Sequence, residues 1–220
     1  MDFADLLMLF LSGVWGTVKL FGVTLVGCLV LGSILAAMRV SPTPVLRAAA
    51  SVYITTVRNT PLTLVMFFCV FGLPFLDIRA SSDSAINSFV LACIALIAYT
   101  SCFVAEVLRS GISTIPVGQA EAARAIGLNF GQTLRYIIMP QAFRTVIPPL
   151  GSVIIAMLKN TSIASAFNNR EIISAMRNAI EVRGDITLLV IAGAAVSYLV
   201  LALILGRVFT ILENKWVIHR

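Results

Sequence analysis

A chain of 220 residues that is 59% hydrophobic and only 12% charged, with a mean hydropathy of +0.99, lies outside the range of soluble domains. Its formal charge of +6 does not read as a nucleic-acid surface, because basic residues between apolar runs report orientation in a bilayer. Composition therefore points to an all-α integral membrane protein with no nucleic-acid partner and with membrane lipid as its solvent.

The N-terminal MDFADLLMLFLSG has Asp2 and Asp5 where a signal peptide carries its positive region, and no A-x-A site follows at a suitable distance, so no cleaved signal is expected. Five apolar runs read as spans, at about 13 to 38, 50 to 76, 86 to 110, 143 to 167 and 186 to 211. An odd number puts the termini on opposite faces. With the N-terminus outside, Arg39, Arg47, Arg109, Arg124, Arg135, Arg144, Arg207, Lys215 and Arg220 fall on the cytoplasmic face, against Arg79, Arg170, Arg177 and Arg183 outside. Nine against four favours N-out, C-in. No repeat or linker divides the chain, so residues 1–220 are expected to form one transmembrane domain.

Pro61 falls near the middle of the second run. It lacks an N–H and is expected to displace the carbonyl of Val57, and such groups in a bilayer need another partner or a cavity. Asn59 and Thr60 add short polar side chains, and the backbone N–H groups of the break suit an α-carboxylate. A kink satisfied by neighbouring helices accounts for the same residues structurally. Arg58 reads as a substrate counter-charge, an orientation anchor or a salt-bridge partner of Glu106. Between the third and fourth runs, Pro116 suits a first helical turn and Gly127 the position past a last one, giving a short helix over 116–126. Ala120, Ala122, Ala123 and Ala125 make it shallow, and Glu121 and Arg124 are spaced to pair with each other or across an interface. Lys159 in the fourth run is a charge inside the membrane, so it faces the bundle interior or snorkels outward.

Cys28, Cys69, Cys93 and Cys102 lie in or beside apolar runs without ligand spacing and read as small hydrophobes. The single histidine, His219, supports no catalytic or metal constellation, and no phosphate loop is present, so the chain is not expected to hydrolyse ATP by itself.

Gly118-Gln119-Ala120-Glu121-Ala122-Ala123, followed by Gly127 and by Ile138-Met139-Pro140-Gln141-Ala142, resembles the EAA signature of bacterial ATP-binding-cassette importer permeases. Arg58-Asn59-Thr60-Pro61-Leu62, Ala105-Glu106 through Arg109-Ser110-Gly111-Ile112, and Lys159-Asn160-Thr161-Ser162 resemble motifs of the polar amino acid subfamily. Within it, the chain is similar to the permease pair of actinobacterial glutamate uptake systems. The resemblance implies a type I importer permease fold in the bacterial cell membrane, with a cytoplasmic coupling helix bearing Gly118, Gln119, Glu121, Ala122, Ala123, Arg124 and Gly127. It implies substrate contacts at Arg58, Asn59, Thr60, Pro61, Lys159, Asn160, Thr161 and Ser162. It also implies two cytoplasmic ATPase subunits, a second homologous permease and an extracytoplasmic solute-binding protein. Basic and neutral amino acid relatives often have Asp where this chain has Asn160, which favours an acidic substrate; the resemblance to glutamate uptake permeases then implies L-glutamate, with glutamine, aspartate or another polar amino acid as the alternative. A self-sufficient channel or ion-coupled carrier is the alternative from another class.

Overall fold

The computed structural model describes residues 3–216, so Asp2, His219 and Arg220 lie outside the described residues. The described chain is helical. α1 (Phe3–Val40) begins well before the expected first span, with Asp5 in its first turn complementing the helix dipole. At 1.5 Å per residue it rises about 57 Å, roughly twice the hydrocarbon thickness.

The second run is interrupted next to Pro61, where the sequence placed a break or a kink, and forms two arms. α2 (Pro44–Arg58) ends at the Asn59-Thr60-Pro61 break, and α3 (Leu62–Phe67) continues through a π turn at Phe68–Gly72 into α4 (Leu73–Phe75). The segments Pro44–Arg58 and Leu62–Phe75 meet at 103°. Proline disfavours helical geometry at Thr60 and cannot donate, which is enough to end α2. The freed Val57 carbonyl that the sequence suggested is instead engaged by the Thr60 N–H at 3.2 Å, and the Asn59 N–H reaches Thr55 O at 3.3 Å.

α5 (Ser84–Ser113) starts on Asp83, whose side chain accepts from the Ala85 and Ile86 N–H groups. α6 (Val117–Ala125) and α7 (Phe130–Thr133) follow. A capping box between Asn129 and Gln132 starts α7, and the helix runs on through a π turn at Leu134–Ile138 into α8 (Met139–Asn160). The fourth apolar segment thus reaches from Phe130 to Phe167, earlier than expected. Both π turns stand two residues ahead of a proline, Pro74 and Pro140. Each proline removes the bond that would hold Val70 or Tyr136, and a widened turn absorbs the mismatch. A 3-10 segment, Thr161–Phe167, ends α8; α9 (Ile172–Val182) and α10 (Thr187–Trp216) complete the chain.

α5 is the central helix, packed by α1, α2, α3 and α8. A Cβ on Gly27 would fall 2.3 Å from Ile97, and one on Gly32 2.6 Å from Val104, so α1 and α5 touch closely and run parallel. The bent α2–α4 segment between them therefore carries the chain back to its starting end. α8 returns antiparallel to α5, with Gly111 against Val146, and α10 runs antiparallel to α8, with Gly151 against Phe209. Among the described residues, four helices are long and apolar enough to cross a membrane, or five crossings if the bent pair is one. The four cysteines are free and buried.

Candidate functional site

α6 is held at both ends. Pro116 precedes it in an extended conformation, and Gly127 follows it at φ +87°, a left-handed geometry that costs an L side chain about 1–2 kcal/mol. The Gly127 N–H bonds Arg124 O at 3.0 Å and the Leu128 N–H bonds Ala123 O at 3.1 Å, the paired closure of a Schellman motif. Gly118, Glu121, Ala122, Arg124 and Gly127 are exposed, whereas Ala123 is buried against the chain. The expected pairing of Glu121 with Arg124 within the helix is not formed: Arg124 Nε turns back to Ala120 O at 3.3 Å, where a C-terminal cation finds helix carbonyls. Gln119 is half-buried, its Oε1 accepting from Gln141 Nε2 at 2.6 Å. Val117, Ile126 and Phe130 are 70%, 78% and 71% exposed around this face, apolar residues the sequence reading passed over although they interrupt a polar stretch.

At the break in the second span, Arg58, Asn59 and Pro61 are exposed and Thr60 is half-buried, its hydroxyl donating to Thr56 O at 2.8 Å. Arg58 is not the partner of Glu106: that carboxylate is held by Arg39 at 3.2 Å and Arg109 at 3.0 Å. The Leu64 and Val65 N–H groups bond Pro61 O, which leaves Leu62 and Thr63 at the head of the new helix.

In the fourth-span motif the four residues divide. Lys159 is exposed, Thr161 is fully buried with its hydroxyl on Leu158 O at 2.6 Å, and Ser162 donates to Lys159 O at 2.7 Å. Asn160 faces a cavity of about 210 Å³ whose walls are Tyr99, Thr100, Phe103, Val153, Ala156 and Met157. The Tyr99 and Phe103 rings stand 5.1 Å apart, and the buried Thr100 Oγ1 has no hydrogen-bond partner. A tolerant aromatic wall with one unpaired hydroxyl and one carboxamide suits a small polar solute. Arg58, Asn59, Thr60 and Pro61 do not line this cavity, so the two motifs do not close one site within the chain. Tyr99, Thr100 and Phe103 escaped the sequence reading because an aromatic or a hydroxyl inside an apolar run has no distinctive spacing.

At the opposite end from α6, Glu171 is fully buried yet caps α9. Its carboxylate accepts from the Ile173 N–H at 2.8 Å, the Ser174 N–H at 2.7 Å and the Tyr198 hydroxyl at 2.8 Å. Burial raises its pKa above the ordinary value, and these bonds with the Arg177 charge only partly offset that. Gly16 lets α1 approach this turn: a Cβ there would come within 1.9 Å of Arg170 O. Beside it Asn168, Arg170, Arg177 and Glu181 edge an open polar cavity of about 390 Å³.

The family described as binding-protein-dependent transport system inner membrane component matches residues 29–218. The chain is 48% identical over 209 residues to the glutamate transport system permease protein GluC of Corynebacterium glutamicum, covering 92% of each. It is 44% identical over 223 residues to that of Corynebacterium efficiens, covering 99% of this chain and 98% of the other. Among solved structures, an amino acid ABC transporter with histidines superposes with a TM-score of 0.83 at 28% identity, covering 98% of this chain and 99% of that one.

Proposed function

Since the chain belongs to the binding-protein-dependent transport system inner membrane components, a membrane transport subunit rather than an enzyme, we propose that its cargo is L-glutamate and that α6 is where a partner ATPase grips it. The observation that carries the substrate is the 48% identity to a glutamate permease along 92% of both chains. The family works with an ATPase and a binding protein in a multi-pass cell-membrane assembly. We infer two ATPase copies that hold ATP and Mg, and a second, homologous permease. The split of the two substrate motifs within one chain supports that pairing: the residues at the 103° break and the cavity at Asn160 then complete a path with the partner's surfaces.

The coupling reading rests on α8. Gln141 in its first turns holds α6 through Gln119, and Asn160 at its far end lines the cavity, about 28 Å away at 1.5 Å per residue. A push on α6 by a closing ATPase is delivered along one helix to the solute site. The bent α2–α4 segment counts as one crossing, giving five spans, N-out and C-in, in keeping with the nine-to-four basic bias.

The test is radiolabelled glutamate uptake into proteoliposomes holding both permeases and the ATPase, with binding protein and ATP supplied. Uptake that persists without ATP or without the ATPase would return the chain to the carrier class. Topology is checked by Gly184→Cys and Gly118→Cys in a background lacking the four native cysteines. An impermeant maleimide on intact cells is expected to label position 184 alone.

A further inference from the structure

At the end of the bundle where α1 stops and α2 begins, three arginines from three helices border one open cleft of about 370 Å³: Arg39, Arg47 and Arg109, with Ala48 and Ser51 as its floor. Among the described residues, Glu106 is the only carboxylate engaged there. It takes Arg39 Nη2 at 3.2 Å, and Arg109 through Nε at 3.2 Å and Nη2 at 3.0 Å. Three guanidinium groups against one carboxylate leave a local charge of +2. Arg39 Nη1 is braced on the Ser51 hydroxyl. Arg47 is anchored through Nη1 alone, to Ser41 O and Pro42 O, so its other donors remain available to a ligand.

A fixed, forked array of cations that its own acids do not neutralise is a phosphate receptor. Its surroundings indicate which phosphate. Val45 and Leu46, on the same turn of α2 as Arg47, are 74% and 41% exposed, and Val40 at the end of α1 is also exposed. Apolar side chains beside the cations, at the level where membrane helices end, fit acyl chains below a headgroup and have no use for a free ion.

We propose that this cleft binds the phosphate of an anionic phospholipid headgroup, seated among Arg39, Arg47 and Arg109. The bound lipid bridges α1, α2 and α5 at the foot of the bent second span. The inference needs the membrane location of the chain, not its substrate or its direction of transport, so it fails or survives independently of the glutamate reading.

The experiment is native mass spectrometry of the purified transporter in mild detergent with added phosphatidylglycerol, phosphatidylcholine or inorganic phosphate. Wild-type transporter is expected to retain phosphatidylglycerol in preference to phosphatidylcholine. Arg47→Gln should lower that retention about fivefold, the worth of one interfacial cation. Ala48→Phe fills the cleft without altering charge and should lower retention as much. A thermal midpoint in phosphatidylcholine equal to wild type establishes that each variant is folded. Equal retention of the two lipids, or wild-type preference in both Arg47→Gln and Ala48→Phe, overturns the site. Displacement of the lipid by millimolar inorganic phosphate overturns the headgroup assignment in favour of a free anion.

Discussion

Gln141 Nε2 lies 2.6 Å from Gln119 Oε1 and 2.8 Å from Ile137 O, so one carboxamide ties the exposed helix α6 to the helix that carries Asn160. Gln141→Met keeps the length and loses both bonds, at a net cost of about 1 kcal/mol for the cross-helix bond. Glutamate uptake should fall about fivefold while the ATPase still copurifies, because the strut is lost and the docking face is not. An unchanged ratio of ATP hydrolysed to glutamate transported would remove the strut from the mechanism.

Gly127→Val addresses the docking face itself. A β-branched residue at φ +87° is strained and loosens the closure on Arg124 O and Ala123 O, tilting the end of α6. Less ATPase should copurify, with binding of solute to the external receptor intact. Normal association and normal substrate-stimulated ATP hydrolysis would show that α6 does not dock the ATPase.

Asn160→Asp tests substrate charge. The two side chains are nearly isosteric, and the cavity at Asn160 holds no basic side chain to neutralise a new carboxylate. At about 5 Å and an effective dielectric near 20, repulsion of a bound glutamate is on the order of 3 kcal/mol before screening, roughly a hundredfold in affinity. Glutamate uptake should collapse while uptake of any neutral amino acid falls much less. Equal loss of both would make Asn160 structural; unaltered glutamate uptake would mean that the solute does not sit here.

Glu171 gives the chain a pH dependence of stability. Its folded pKa is raised by burial, so ionisation costs more in the fold than in the unfolded chain. The neutral acid is fully favoured below the ordinary carboxylate value of 4.5, and stability declines as pH climbs from there through the folded value. Glu171→Gln cannot ionise. The thermal midpoint of wild type relative to this variant, followed from acid to neutral pH in detergent, should fall as pH rises. A difference that stays flat would mean Glu171 titrates normally.

The second apolar run shows where legibility stopped. Pro61 announced a disruption, but whether a proline bends a helix slightly or turns it through 103° depends on what packs against each half. Here Leu62 and Met66 pack with Leu91, Leu96 and Phe167, while Ala50 and Ile54 pack with Leu35 and Cys102, two different patches along α1 and α5. The π turns before Pro74 and Pro140 were equally hidden, because the sequence shows which hydrogen bond is missing and not which turn absorbs the loss.

What the sequence determined by itself was whatever depends on local chemistry or on summed composition. Membrane residence follows from apolar content, the family from motif order, and the limits of α6 from Pro116 and Gly127, whose backbone preferences act within a single turn. Tertiary structure alone decided which side chains meet. It gave Glu106 to Arg39 instead of Arg58, turned Asn160 to a cavity while Thr161 went to the core, and buried Glu171 under Tyr198. Such pairings join residues tens of positions apart on helices whose rotation and crossing are fixed by packing, and no local spacing in the chain encodes that rotation.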